Sequence, residues 1–116
     1  MNYTIKHQNG IIHIHVNKEK LDSLIAHELK AIFNKINETS PQRAILHLSG
    51  VKYIDSSGLT ALLLGSRKCE KLVLLQPKDM VMKMLEISQL ATILPLASSI
   101  EEAEQAVETA KVEDEN

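Results

Sequence analysis

Short apolar runs alternate with helical patterns from residue 21 to the end of the chain, and this alternation limits the possible folds more than any other feature. Strand-like runs occur at RAILHLSG (residues 43–50), KLVLLQP (71–77) and TILPL (92–96), and a helical segment follows each of them. Strands that alternate with helices join through right-handed crossovers into a mainly parallel sheet. The pattern therefore predicts a single-domain α/β fold with about five strands and about four helices.

The first two strands form a separate motif. The segment YTIKHQNGIIHIHV (residues 3–16) contains two alternating runs around Asn9-Gly10. This dipeptide is typical of a tight hairpin turn because both central residues need positive φ. The first strand is therefore expected as an antiparallel addition at one edge of the sheet.

Two of the predicted helices have clear apolar faces. The first helix (residues 21–38) offers Asp22 or Ser23 as its N-cap. The helix that follows KLVLLQP has a stripe of apolar residues at helical spacing, formed by Met80, Met84 and Ile87. The methionines of this region resemble an adaptable binding surface, but their spacing favours ordinary core packing.

The composition argues against several classes of protein. A formal net charge of −2 does not suit a nucleic-acid binder, which needs a clustered basic surface, and an aromatic content of 3% leaves few rings for stacking on bases. The single cysteine, Cys69, cannot form an internal disulfide, which favours a reducing compartment. No secretion signal is evident, and no apolar segment approaches the roughly 18 residues that span a bilayer. We therefore expect a cytoplasmic protein that neither binds nucleic acid nor inserts into a membrane.

Acidic residues concentrate at the C-terminal end of the chain. Residues 101–116 carry seven acids against one lysine. The pattern favours a solvated face on a last helix, capped by Ser98 or Ser99, and a docking surface for a basic partner is the alternative. The domain is expected to span residues 1–110, followed by a flexible acidic tail at 111–116.

The stretch VKYIDSSGLTALLLG (residues 51–65) places polar residues where an apolar strand meets a helix. Asp55, Ser56 and Ser57 occupy capping positions, and Gly58 removes bulk from the first turn. One polar side chain is enough for a cap, so the others need an explanation. A helix N-terminus also favours a phosphate, and a phosphoserine here would add nearly two negative charges that repel a docked partner. Physical arguments alone leave both interpretations open and favour the simple cap.

The same stretch, with the segments that follow it, resembles a STAS domain, the module of anti-sigma factor antagonists and of sulfate-transporter tails. The similarity covers nearly the whole chain in order, through VKYIDSSGLTALL, KLVLLQP, a helix ending EISQL, and ILPLASSIEEAEQAV. The resemblance implies a protein that is not an enzyme but the substrate of one. In the bacterial partner-switching members, the unphosphorylated antagonist binds an anti-sigma factor that is also a serine kinase, and the sigma factor is released. The kinase inactivates the antagonist by phosphorylating the first serine of the motif, and a phosphatase resets it.

Carried onto this sequence, the resemblance assigns Ser56 as the phosphorylated residue. The partner-binding surface it implies comprises Asp55, Ser56, Ser57, Gly58, Leu59 and Thr60. It implies no cofactor, because the ATP contacts belong to the kinase, and it leaves the oligomeric state open. The family's usual Gly-Gly turn after the motif helix is missing from GSRKCEKLVLL. Other family members act in lipid-transport, anion-transport or stress-signalling assemblies, so a constitutive accessory subunit is the alternative function.

Two further constellations have both an ordinary and a functional interpretation. His13, His15 and His47 could meet on neighbouring strands as a zinc or nickel site, but the pattern favours polar residues on the less buried sheet face, and we expect no metal. Ser56 and Asp55 with a histidine could form a hydrolase triad. The chain lacks the G-x-S-x-G elbow that exposes such a nucleophile, so we expect no hydrolase activity.

Overall fold

The structure is a computed structural model that describes residues 1–108, and in it one sheet separates two layers of helices. In chain order the elements are β1 (Tyr3–Gln8), β2 (Ile11–Val16), β3 (Lys20–Leu21), α1 (Ser23–Ile36), β4 (Arg43–His47), β5 (Tyr53–Ile54), α2 (Ser56–Lys68), β6 (Lys71–Leu75), α3 (Asp79–Ile87), β7 (Leu96–Ala97) and α4 (Ile100–Glu108). A 3₁₀ turn at Leu90–Thr92 lies between α3 and β7. The predicted acidic tail, residues 111–116, lies outside the described residues.

The main sheet has five strands in the order β1-β2-β4-β6-β7. β1 pairs with β2 in antiparallel fashion, and the other neighbours are parallel. Asn9 and Gly10 both have positive φ, 54° and 78°, as the turn between antiparallel strands requires. The predicted α/β fold, with its antiparallel edge strand and four helices, is confirmed.

The two faces of the sheet are covered differently. The inner face packs against α1, α2 and α3. These helices contribute Leu29, Phe33, Leu62, Val81 and Leu85 to the larger of two hydrophobic cores, called the inner core below. The outer face packs against α4, where Ala103 and Val107 meet Ile11, Ile45, Val73, Leu75 and Ala97. Because side chains alternate along a strand, residues two apart on β2 or β4 share a face. His13, His15 and His47 therefore belong to the outer face, together with Ile11 and Ile45.

The structure corrects the predicted face of α3. Val81 and Leu85 are the buried residues of this helix, and Met84 is half-buried at the edge of the core. Met80 and Ile87, which were expected beside Met84 in the core, are exposed. The stripe identified from spacing lies about a quarter turn from the face that meets the sheet, so it forms the flank of the helix.

A second difference concerns short strands. β3 and β5 form a small parallel sheet of their own, which was not predicted. The last strand begins at Leu96, later than the predicted run at 92–96, because the chain first makes the 3₁₀ turn and buries Leu94 in the inner core. Among the described residues, no helix is long and apolar enough to cross a bilayer.

Candidate functional site

The small sheet formed by β3 and β5 holds the polar motif in place. Leu21 pairs with Ile54, and the Asp55 amide donates to the Leu21 carbonyl at 3.4 Å. At the start of the same two strands, the amides of Lys52 and Tyr53 both donate to the Glu19 carbonyl, at 2.7 and 3.1 Å. The chain therefore enters α2 from a hydrogen-bonded strand, and the first turn of the helix is fixed relative to the start of α1.

Asp55 is the N-cap of α2. Its backbone is extended, and its Oδ1 accepts a hydrogen bond from the Gly58 amide at 3.1 Å. This contact satisfies one of the backbone donors that a helix N-terminus leaves free. One of the three candidate capping residues therefore performs the capping role, and it is the aspartate.

Gly58 is required by the approach of β3 and β5 to the first turn of α2. A Cβ atom at this position would lie 2.6 Å from the Leu21 carbonyl oxygen and 2.6 Å from Ile54 Cγ1. No side chain fits at these distances without movement of the backbone. Gly58 is buried, so it shapes the surface beneath Ser56 and Ser57 and presents no side chain to a partner.

Ser56 is the first residue of α2, and its side chain is exposed. Within residues 1–108 its hydroxyl makes no hydrogen bond, since Asp55 supplies the cap. Its carbonyl accepts from Thr60 Oγ1 at 2.9 Å, which ties the backbone of the first turn together. Ser56 therefore presents an unengaged hydroxyl at the positive end of a helix dipole.

The other predicted surface residues surround Ser56 on the same turn. Thr60 is exposed, while Ser57 and Leu59 are half-buried, with Leu59 packed against the inner core. The motif is thus a compact surface with one exposed serine at its centre. An exposed serine on the first turn of a helix suits a docking surface better than a small-molecule site, which is usually concave.

Two exposed apolar side chains flank this surface, and sequence reasoning missed both. Tyr53 of β5 is 44% exposed, two residues before Asp55. Leu24 of α1 is 65% exposed, and it follows the Asp22 cap, whose Oδ1 accepts from the Ile25 amide at 3.3 Å. The sequence signal for Tyr53 is an aromatic residue immediately before the motif in a chain with few aromatics. We refer to Leu24, Tyr53 and Ser56–Thr60 as the motif surface.

The connection after α2 is short. The helix ends at Lys68, and β6 begins at Lys71, so only Cys69 and Glu70 lie between them. The Cys69 amide donates to the Gly65 carbonyl at 3.0 Å and closes the helix. Cys69 is buried, and the Asn37 side chain donates to its Sγ at 3.5 Å. The missing Gly-Gly turn is thus replaced by a tighter connection at the end of the molecule away from Ser56.

The three histidines meet on the outer face, on the side of the sheet opposite α2. His13 Nδ1 and His47 Nε2 are 3.0 Å apart, and the rings of His15 and His47 stack with their centroids 3.8 Å apart. His13 is only 5% exposed, so the expectation of a less buried position is wrong for this residue. Within residues 1–108 no group of three or more histidine, cysteine or acidic side chains is arranged to hold a metal ion. The sheet itself separates this cluster from Ser56, so the structure does not assemble a triad from these residues.

Burial, together with the neighbouring positive charges, changes the acidity of this cluster. Desolvation lowers the pKa of His47 to about 4, with further lowering by His15, His13 and Lys6. Desolvation also lowers the pKa of His13 and of His15. All three imidazoles are therefore uncharged at neutral pH.

The comparisons with known proteins agree with this architecture. The sequence matches the STAS domain family over residues 2–103. A protein of Bordetella bronchiseptica named as an anti-sigma factor antagonist, BtrV, is 30% identical, with 79% of this chain and 93% of the relative aligned.

Two solved structures share the fold at low sequence identity. The anti-sigma factor antagonist SpoIIAA in its unphosphorylated form has a TM-score of 0.77 and 20% identity, over 91% of this chain and 96% of that one. This protein of Bacillus has also been solved in its phosphorylated form. A sulfate transporter family protein from Wolinella succinogenes has a TM-score of 0.73 and 23% identity, over 90% and 93%. At these identities the likeness establishes the fold alone.

Proposed function

The chain is a STAS domain protein of the anti-sigma factor antagonist family, and from this premise we propose that it is a regulatory binding module controlled by phosphorylation of Ser56. In this proposal the unphosphorylated chain binds an anti-sigma factor that is also a serine kinase. Phosphorylation releases the two proteins, and a phosphatase restores binding. The chain is then a substrate of enzymes in the cytoplasm, without catalytic activity or a cofactor of its own.

The observation that supports this proposal is the free hydroxyl of Ser56. A serine that capped α2 would have its oxygen occupied by backbone amides, and phosphorylation would disrupt the cap. Here Asp55 accepts from the Gly58 amide, and the exposed Ser56 hydroxyl has no partner within residues 1–108. A kinase can therefore reach the hydroxyl without unfolding the first turn.

A phosphate on Ser56 would alter binding more than folding. The phosphate carries about −1.5 to −2 charges, and the amide groups and dipole of the α2 N-terminus stabilise such an anion. The same charge lies beside Asp55 and at the centre of the motif surface. A partner that packs closely on that surface must then desolvate the phosphate or meet it with cations.

The apolar flanks of the motif surface provide candidate contacts that do not depend on charge. Tyr53 and Leu24 remain exposed in the isolated chain, although both could bury apolar area against a partner. Aromatic residues often contribute most of the binding energy at protein interfaces. We therefore propose that Tyr53 anchors the partner and that Ser56 decides whether the anchored complex persists.

Binding of three variants to the cell's candidate anti-sigma factor kinase tests the proposal. Isothermal titration calorimetry should give wild-type affinity for Ser56→Ala and an affinity reduced at least about 30-fold for Ser56→Asp, as expected for an uncompensated charge in an interface. Ser40→Asp adds the same charge at an exposed position before β4, near the C-terminal end of α2 and away from Ser56, and should bind like wild type. Equal affinities of Ser56→Asp and Ser40→Asp would refute the switch.

A constitutive subunit of a transport or stress-signalling assembly is the second candidate function. It is favoured by the likeness in fold to the sulfate transporter family protein from Wolinella succinogenes. In that case Ser56 would be an ordinary first-turn residue, and Ser56→Asp would leave assembly with the partner unchanged. Co-purification of the tagged chain with membrane transport components, unaffected by Ser56→Asp, would support this second function.

A further inference from the structure

We propose that contacts among the imidazoles of His13, His15 and His47 stabilise the pairing of β2 with β4 while the rings are uncharged. These contacts weaken as the rings bind protons, so the stability of the pairing depends on pH. The three residues, called the histidine joint below, lie on adjacent parallel strands, with His15 directly paired with His47. The joint is on the face of the sheet opposite the motif surface. Its behaviour is therefore independent of Ser56 and of the proposed switch.

The hydrogen bond between His13 and His47 requires that at least one of the two rings is uncharged. Their Nδ1 and Nε2 atoms are 3.0 Å apart, so one nitrogen carries a hydrogen and the other accepts it. If both rings were imidazolium ions, both nitrogens would carry hydrogens, and the two N–H groups would face each other. The 3.0 Å contact is therefore incompatible with both rings being imidazolium ions at once.

The buried side of His13 opposes protonation further. His13 Nε2 is buried and has no hydrogen-bond partner within residues 1–108. When His13 Nδ1 donates to His47, Nε2 carries a lone pair and no hydrogen. Burial of this neutral acceptor costs less than burial of a charged donor. Protonation would place an N–H group and a positive charge there without an acceptor, and such a buried donor is unfavourable.

The surrounding charges are mixed. Lys6 of β1 lies opposite His13 in the antiparallel pair and adds a positive charge near all three rings. Among the described residues, Glu104 of α4 is the acidic group whose charge acts on His13, and it favours the protonated form. Burial and Lys6 outweigh Glu104, because the pKa of His13 is lowered overall. Glu104 nevertheless links the protonation of the joint to the helix that covers the outer face.

The direction of the pH effect follows from these shifts. A histidine has a pKa near 6.5 in the unfolded chain and a lower one in the joint, so the unfolded chain binds more protons between these values. The joint's full contribution to stability is present above pH 6.5, and it declines as the pH falls towards the folded pKa, which is about 4 for His47. For His47 alone the unfolding equilibrium constant would rise about 30-fold from pH 7.5 to 5.0 without screening, and on the order of tenfold with allowance for its partial exposure.

Urea unfolding at pH 7.5 and 5.0, in the presence of EDTA, tests the joint in the full-length chain. The wild-type unfolding constant should rise at least about tenfold at the lower pH, because His13 and His15 add to the effect of His47. His47→Gln, which removes one imidazole and its charge, should make that rise at least about threefold smaller. His27→Gln replaces an exposed histidine on α1 and should keep the wild-type pH dependence. An identical rise in wild type and His47→Gln would overturn the proposal.

Histidine proton NMR provides a second readout that a purely structural effect would not change. Because His15 and His13 both lower the pKa of His47, His15→Gln should move the titration midpoint of His47 to higher pH, whereas His27→Gln should not. If His15→Gln does not fold, His13→Gln replaces it, and the shift is again read on His47. An unmoved midpoint would show that the rings titrate independently and would refute the joint. Stabilisation of EDTA-treated protein by added nickel at pH 7.5, lost in His47→Gln, would instead identify a metal site and also refute it.

Discussion

Replacement of Gly58 by alanine tests whether the contact between β3 and α2 shapes the motif surface. The added Cβ would lie 2.6 Å from the Leu21 carbonyl oxygen, 2.6 Å from Ile54 Cγ1 and 3.0 Å from Leu21 Cγ. The carbonyl cannot move freely, because it accepts the hydrogen bond from the Asp55 amide and lies in the strand paired with β5. The first turn of α2 must therefore move away from β3.

The expected magnitude is the difference between two effects. Overpacking of this kind destabilises a protein by about 1–3 kcal/mol, and contact with a backbone atom places this case at the upper end. Alanine in place of glycine within a helix stabilises by about 1 kcal/mol. We therefore expect Gly58→Ala to lower the free energy of unfolding by about 2 kcal/mol.

Urea denaturation followed by circular dichroism measures this change directly. Gly50→Ala is the matched control, since its Cβ would meet only the Val16 carbonyl oxygen at 4.0 Å, and it should lie within about 0.5 kcal/mol of wild type. A Gly58→Ala protein that unfolds at the wild-type urea concentration, with an unchanged slope, would show that β3 does not constrain the helix start as described.

Substitutions at three further positions test the site and the core. Asp55→Ala should lower the free energy of unfolding by about 1 kcal/mol, and Asp55→Asn should restore most of it in the same urea assay, because either side chain can accept from the Gly58 amide; equal losses in both variants would contradict the capping role. Tyr53→Ala should weaken binding of the anti-sigma factor kinase by more than about 1 kcal/mol in calorimetry while leaving the melting temperature within a few degrees, and full retention of affinity would exclude Tyr53 as an anchor. Tyr3→Phe should destabilise the chain by about 1 kcal/mol in thermal or urea unfolding, because it removes the hydrogen bond that the buried hydroxyl donates to the Ile25 carbonyl at 2.6 Å; a neutral effect would argue against this contact.

Local signals in the sequence were enough to predict the main architecture. The Asn9-Gly10 turn depends on the backbone preferences of two adjacent residues, and both adopt the positive φ that the pattern requires. The Asp55 cap likewise depends on a contact with Gly58 only three residues away. Features of this kind are encoded over a few residues, so they can be read without knowledge of the tertiary structure.

The features that sequence reasoning missed depend on contacts between distant segments. β3 and β5 have two residues each and exist because Leu21 meets Ile54, so no periodic pattern could identify them. Met80 was assigned to the core from its spacing, but the docking of α3 onto the sheet determines which flank is covered. His13 was expected on a less buried face, and it is buried because His47 and the outer layer pack around it. The proposed role of Ser56 rests on the family resemblance, because the physics of the motif alone favours a cap.

The most direct test of the central claim is mass spectrometry of the protein isolated from its native cell, with and without phosphatase treatment. Phosphorylation control predicts that a fraction of the chain is heavier by one phosphate, with the modification located on Ser56 by peptide fragmentation and removed by the phosphatase. An unmodified Ser56 in growing, stationary and stressed cells would contradict phosphorylation control and favour the constitutive subunit.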